Sequence, residues 1–346
     1  MRRFRSIPRS NSFTLIEMLL SMAILVILLL VITSMTQSTA KLWRRSSDQS
    51  RSYQGANRAF TDLVHNLGKA TLNTYWSYFD ANGVAYTSAN SATFVPARYG
   101  RMSELHFVSD FTTNLLGTGN GVSTYGPGNA VFFQAPIAYS TNAAYAQTED
   151  ALNACGYFIQ YGPDTSLLPA FLQPTATTRN RYRLMELLQS TENLTVYYDQ
   201  TTNTDYGWFS TPSTNTAMVD ARPVADNVIL LLVRWVYPDS SGNLNYTYTY
   251  NSRTGPVSPA TLQPITQHQL PPQAQITMIA LTEASAIRAA AASGGAQPVF
   301  VTNSFSNPTN LASDLTNVES SLTAQHYDYH VFTADLYLKN SRWSTH

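Results

Sequence analysis

From Phe13 to Met35 the chain is apolar at nearly every position, and Met18 to Ile32 contains a single polar residue, Ser21. A helix of this length, at about 1.5 Å per residue, reaches roughly 34 Å, enough to cross the ~30 Å hydrocarbon layer of a bilayer. The run therefore predicts a membrane-spanning helix over residues 13–35. Beyond it, Tyr53, Ala56, Phe60, Leu63, Val64, Leu67 and Ala70 recur at spacings of three and four, which is one apolar face on a 3.6-residue repeat. No proline occurs between Pro8 and Pro96, and Gly55 is the only glycine between Phe13 and Asn66, so nothing forces a break. One long helix is expected. Its second, amphipathic half covers 36–72, ends near Gly68 to Asn73, and packs through Tyr53, Phe60, Leu63, Val64 and Leu67.

The remainder, 73–346, changes period. SELHFV, NAVFFQAPIAY, CGYFIQY, RYRLMELLQ, NVILLLVRWVYP, NYTYTY, AQITMIALTEA and YHVFTADLYLKN combine β-branched and aromatic residues with partial alternation between Gly, Pro, Asn and Asp clusters. RYRLMELLQ also fits a helix. VRWVYPDSSGNLNYTYTY reads as a hairpin turning at PDSSGN. Helices are predicted over Glu283 to Ala292 and over 311–323, where Leu311, Leu315, Val318 and Leu322 form a stripe suited to packing on a sheet. GTGNGVSTYGPGN, residues 117–129, reads as a flexible loop without the Lys-Ser/Thr ending of a phosphate loop. No internal repeat or linker is visible, so this part is expected to be one domain with as many as two sheets. The fold class is α+β: a long N-terminal helix on a mainly antiparallel β domain.

Composition narrows the partners. Charged residues are only 12% of the 346, and the formal net charge is zero. Arg2, Arg3, Arg5 and Arg9 lie in the first twelve positions; the other 17 basic residues face 21 acidic ones, a balance of −4. No basic stripe remains to track a phosphate backbone, so nucleic acid is not expected as a partner. Cys155, the single cysteine, allows no internal disulfide and reads as a small buried hydrophobe. The flanks of the span do not set orientation, because the leader arginines face Lys41, Arg44, Arg45 and Arg51 across it.

Glu17 sits near the start of the apolar run, and no Lys, Arg or His falls between Asn11 and Lys41 to pair with it. A carboxylate in a spanning helix costs on the order of 2.5–3.5 kcal/mol on insertion scales, which marks it as functional. The segment RSNSFTLIEMLLSMAI resembles the class III signal of type IV prepilins and type II secretion pseudopilins, whose motif is G-F-T-L-I-E. The resemblance implies a basic leader, 1–12, cut by a prepilin peptidase between Ser12 and Phe13, with N-methylation of Phe13. Ser12 stands where the family usually has Gly. Glu17 becomes the fifth mature residue and, as in that family, the assembly carboxylate that pairs with the amine of the subunit already in the filament. An ammonium one helical turn from a carboxylate neutralises it where the dielectric is low. Implied with this are other pilin-like subunits as partners, insertion in the inner membrane as a single-pass protein with its N-terminus cytoplasmic, and a periplasmic C-terminal domain. Assembly places the subunit in a periplasmic or surface filament.

ATLNTYWSYFD, LMELLQSTENLTVYY, QITMIALTEASAIR and VFTADLYLKNSRW resemble the family called Verru_Chthon cassette protein C, and the ending is similar to that of J-type minor pseudopilins. Both imply a minor, non-enzymatic subunit without a cofactor.

Other chemistry is sparse. His326 and His330 flank Asp328 in HYDYH, but no third ligand follows, so no metal site is assigned. Asp80-Ala-Asn82-Gly83 and Asp239 with Ser241 and Asn243 echo calcium loops without the closing Glu, and read as turns. Tyr75, Trp76, Tyr78 and Trp208 have the chemistry to stack on sugars if exposed, or to fill a core or interface. A pilin-like receptor for DNA or polysaccharide would need such a surface patch. The competing reading is an anchored or secreted binding protein or hydrolase with an ordinary signal, cut after Ser38-Thr39-Ala40.

Overall fold

The computed structural model describes residues 14–145, 147–169, 171–173, 175, 177–197, 206–215, 220–253, 263–300 and 305–344, with backbone only at 42, 44–52 and 166. Two compact units divide at residue 51: Met1–Arg51 and Ser52–His346.

The described part of the first unit is the N-terminal part of helix α1 (Leu15–Gly68), with the 27-residue apolar stretch Leu15–Lys41; its most apolar 18-residue window has a mean hydropathy of 3.0, and none of that window is buried within the protein. Its polar side chains are largely consumed by the helix itself. Ser21, Ser34, Thr36 and Thr39 each donate a 2.8–2.9 Å hydrogen bond to the carbonyl of Met18, Val31, Ile32 and Met35. Hydroxyls bonded inside the helix escape most of the cost of entering hydrocarbon.

The second unit is α+β with three sheets, and every named strand pair is antiparallel. The smallest sheet pairs β1 (Tyr75–Phe79) with β2 (Arg98–Met102). The largest contains β3 (Val108–Phe111), β4 (Thr124–Tyr125), β5 (Asn129–Pro136), β6 (Leu152–Pro163), β7 (Asn180–Gln189), β8 (Ala221–Asp226) and β11 (Tyr250–Asn251), in the order β11-β3-β5-β6-β7-β8 with β4 on β6. The third runs β10-β9-β12-β13, from β9 (Val228–Pro238), β10 (Leu244–Thr247), β12 (Gln273–Leu281) and β13 (Tyr329–Tyr337). Short helices α2 (Thr112–Leu116) and α3 (Gly207–Thr214), then α4 (Glu283–Ala292) and α5 (Leu311–Ala324), complete it.

The two larger sheets share one core, with Phe107 edge-on to Trp235 across it. Asn129 stitches them: its amide donates to the Tyr248 carbonyl, and its oxygen accepts from the Val233 amide. Beside it Gly128 (φ +95°) forms a bridge with Leu231, where a Cβ would lie 2.1 Å from the Leu231 carbonyl oxygen. Only glycine fits that approach.

One local alternative is settled and several expectations change. RYRLMELLQ is strand β7, buried on both faces between β6 and β8, where partners on either side override its helical composition. SELHFV becomes strand only at Val108. The 117–129 run contains β4, tied to β6, and so is more ordered than its glycines imply. Three sheets form, because β1 and β2 make a separate hairpin.

Candidate functional site

Ser12 and Phe13, the expected cleavage junction and methylation position, lie outside the described residues. The helix start that follows them is built from T-L-I-E. Thr14 caps α1: its carbonyl accepts from the Met18 amide, and its hydroxyl accepts a 3.4 Å bond from the Glu17 amide. Glu17 answers in the reverse direction, with Oε2 accepting from the Thr14 amide and from the Thr14 hydroxyl, each at 2.9 Å. This is a capping box, in which cap and third-residue side chains satisfy each other's backbone donors. The carboxylate is thereby held at the mouth of the helix, where the positive end of the dipole favours an anion. Its charge has no cationic partner within the described part of this unit.

In the second unit α1 packs through one side. Phe60, Leu63 and Leu67 are buried with Ala56, Ala59 and Ala70, whereas Tyr53 and Val64 lie half-buried at the margin of the same core. Phe60 packs on Phe332 and Tyr53 on His330 of β13. Burial and the nearby Asp328 push the Tyr53 phenol up to about 12. A polar chain crosses this packing. Asn66 donates to the Tyr157 hydroxyl at 2.8 Å, Tyr157 donates to Glu186 Oε1 at 2.8 Å, and Arg222 grips Glu186 Oε2 through Nε and NH2 at 3.0 and 2.8 Å. Burial, then the Glu186 charge, raises the Tyr157 phenol far above its usual range, so it stays a donor.

The lesser candidates resolve into structure. His330 is part of the aromatic packing under Tyr53, while His326 (φ +56°) turns the chain after α5 and offers its carbonyl to Arg288. Among the described residues, no group of three His, Cys, Asp or Glu side chains is placed to hold a metal. Asp80 caps its turn by accepting from the amides of Asn82 and Val84, and Asp239 does the same for Ser241 and Asn243. Burial pushes the Cys155 thiol up, which removes its nucleophilic form. Trp208 is not exposed but fully buried, donating to His106 Nδ1, so it fills the core. Tyr75, Trp76 and Tyr78 do stand exposed on β1, with Trp76 and Tyr78 against Tyr99.

The polar chain from Asn66 and the Thr14 cap were missed by sequence reasoning. The cap was findable, since Thr followed three residues later by Glu ahead of an apolar run is a helix-start signature.

Residues 7–33 match the family described as the prokaryotic N-terminal methylation motif. No curated protein and no solved structure matches the chain.

Proposed function

We propose that this chain is a minor pilin-like (pseudopilin) structural subunit of a type IV pilus-like or type II secretion-like filament. The observation that carries the reading is the methylation motif over 7–33, with its carboxylate, Glu17, at the mouth of a 27-residue apolar helix. The motif supports processing by a prepilin peptidase and a structural rather than enzymatic role. In the proposal the cut falls between Ser12 and Phe13, Phe13 is N-methylated, and Glu17 receives the ammonium of a neighbouring subunit. An ion pair in apolar surroundings rewards correct axial register and penalises a slipped one, because an unpaired charge there is costly.

The peptidase, pilin-like neighbours and the inner membrane are the partners. The N-terminus is cytoplasmic before cleavage, and the domain from Ser52 onward is periplasmic. The resemblance of four inner stretches to Verru_Chthon cassette protein C belongs to this proposal and supports a minor, cassette-encoded component.

Incorporation tests it. In native cells Glu17→Ala is expected to leave the protein in the membrane fraction while reducing its share of sheared filament at least tenfold. Undiminished incorporation would overturn the assembly role.

A further inference from the structure

The chain crosses from the third sheet to the largest through Tyr248 and Thr249, which join β10 to β11, and each of these strands is the edge of its own sheet. A cleft opens beside this crossing. Its volume is 520 Å³, inside the range of about 300–1,000 Å³ common to small-ligand sites. Asp110 of β3, Tyr206 ahead of α3, Tyr237 near the end of β9 and Tyr250 of β11 line it.

The rings are fixed by packing. Tyr250 stands edge-on to Phe107 at 5.8 Å and to Tyr237 at 5.9 Å, Tyr237 packs on Trp343 at 4.9 Å, and Tyr206 stacks on His106. Walls already set in place lose little freedom when a ligand arrives.

Unused hydrogen-bonding groups define what that ligand must be. Asp110 Oδ1 accepts from the Phe111 amide at 2.6 Å and from the Asn114 side chain at 3.0 Å, which leaves Oδ2 as an acceptor. Among the described residues no Lys, Arg or His forms an ion pair with this carboxyl group. The Tyr206 and Tyr237 hydroxyls each accept from an asparagine, Asn251 at 3.2 Å and Asn245 at 3.0 Å, so each has chiefly a proton left to give. Ser109, also in the lining and only 1% exposed, has a hydroxyl without a partner among the described residues. A buried polar group in that state is costly until something meets it.

These demands separate the ligand classes. An ammonium only donates, so it satisfies Asp110 and leaves both phenol protons unmet; a phosphate only accepts, and Asp110 repels it. A sugar hydroxyl donates and accepts at one atom. The C–H face of a pyranose also suits the negative face of a phenol ring.

We propose that this cleft binds an uncharged saccharide, with Asp110 Oδ2 accepting from one sugar hydroxyl, Tyr206 and Tyr237 donating to others, and a tyrosine ring against the C–H face. The site lies wholly in the unit from Ser52 onward and is independent of the assembly role proposed above. It gives the subunit a second task, contact with glycan.

A microarray of neutral, acidic and amino-substituted oligosaccharides tests it, probed with the dye-labelled full chain in a detergent whose headgroup is not a sugar. At least one neutral oligosaccharide is expected to bind. Asp110→Asn turns the open acceptor into a donor while keeping an oxygen for the Phe111 amide, and should weaken that signal roughly tenfold or more. Tyr206→Phe removes one proton donor at a half-buried position and should weaken it about threefold or more. Melting temperature identifies an Asp110→Asn chain that has not folded, and Tyr206→Phe then decides. An array on which no neutral sugar binds, binding confined to acidic or amino-substituted sugars, or binding that neither variant weakens overturns the site. Loss of signal with Trp76→Ala in place of these variants assigns the sugar to the exposed rings of β1 and overturns it equally.

Discussion

Two groups of Thr14, its amide and its hydroxyl, converge on one oxygen of Glu17, each at 2.9 Å. The acid therefore has two separable properties: it completes a helix cap, and it carries charge into an apolar segment. Only the second is useful to a neighbouring ammonium. Glu17→Gln keeps an oxygen for the Thr14 donors and removes the charge, whereas Glu17→Ala removes both.

If charge is what matters for assembly, Glu17→Gln and Glu17→Ala lose filament incorporation alike. If capping alone matters, only Glu17→Ala does. Membrane insertion should not suffer in either, because removing a charge from the end of the span lowers the cost of insertion. Comparing the membrane and filament fractions of both variants checks this.

The chain Asn66–Tyr157–Glu186–Arg222 makes a different prediction. Glu186 is buried and accepts from Tyr157 and Arg222, so Glu186→Ala leaves the buried Tyr157 hydroxyl proton without its acceptor, although Asn66 still donates to its oxygen. It should cost about 2–4 kcal/mol, whereas Arg222→Ala, removing a mostly exposed partner, should cost about 1 kcal/mol. Urea unfolding of the full chain in detergent, followed by near-ultraviolet circular dichroism, measures both.

Gly128→Ala should be among the most damaging small substitutions in the domain. It places a Cβ against the Leu231 carbonyl at a positive φ, and the bridge between the two larger sheets must open. A loss of about 3 kcal/mol or more, seen as a drop in melting temperature, is expected. Gly55→Ala, inside α1 with nothing within 4 Å, serves as the control and should raise stability by about 0.5–1 kcal/mol.

These sites also mark how much of the molecule was legible beforehand. Phe60, Leu63 and Leu67 declare their face because a helix burying one side must repeat at three and four. β9 declares itself as an apolar run broken only by Arg234, as a strand covered on both faces does, and Ile276 to Leu281 of β12 reads the same way. Trp208 could not be assigned to core or surface because α3 is eight residues long and contains Pro212, so no period reveals which side it buries. β8, ARPVAD, carries a proline and little apolar content; it is a strand because β7 offers it a partner at the sheet edge. The Asn66–Tyr157 bond joins residues 91 apart, and no local pattern encodes such a meeting. The methylation motif was readable for the opposite reason, since it lies within a few consecutive residues.

His268 gives the domain a pH dependence. It is buried, and its pKa is lowered from 6.5 to about 4, first by burial and then by the charges of Arg253, Arg101 and Arg98. The folded state thus holds this imidazole neutral while the unfolded chain would protonate it. Its contribution is fully present above about pH 6.5 and is lost as pH falls toward 4, a decline on the order of 3 kcal/mol. His268→Gln should flatten that part of a curve of melting temperature against pH.

The central claim is that the apolar stem is freed at Phe13 and meets its neighbours through Glu17. Mass spectrometry of the N-terminal peptide from protein isolated from its native cell tests it most directly. A peptide beginning with N-methylated Phe13 is the expected result. Mature protein that still carries the arginine leader, or that begins at Lys41, would contradict the account.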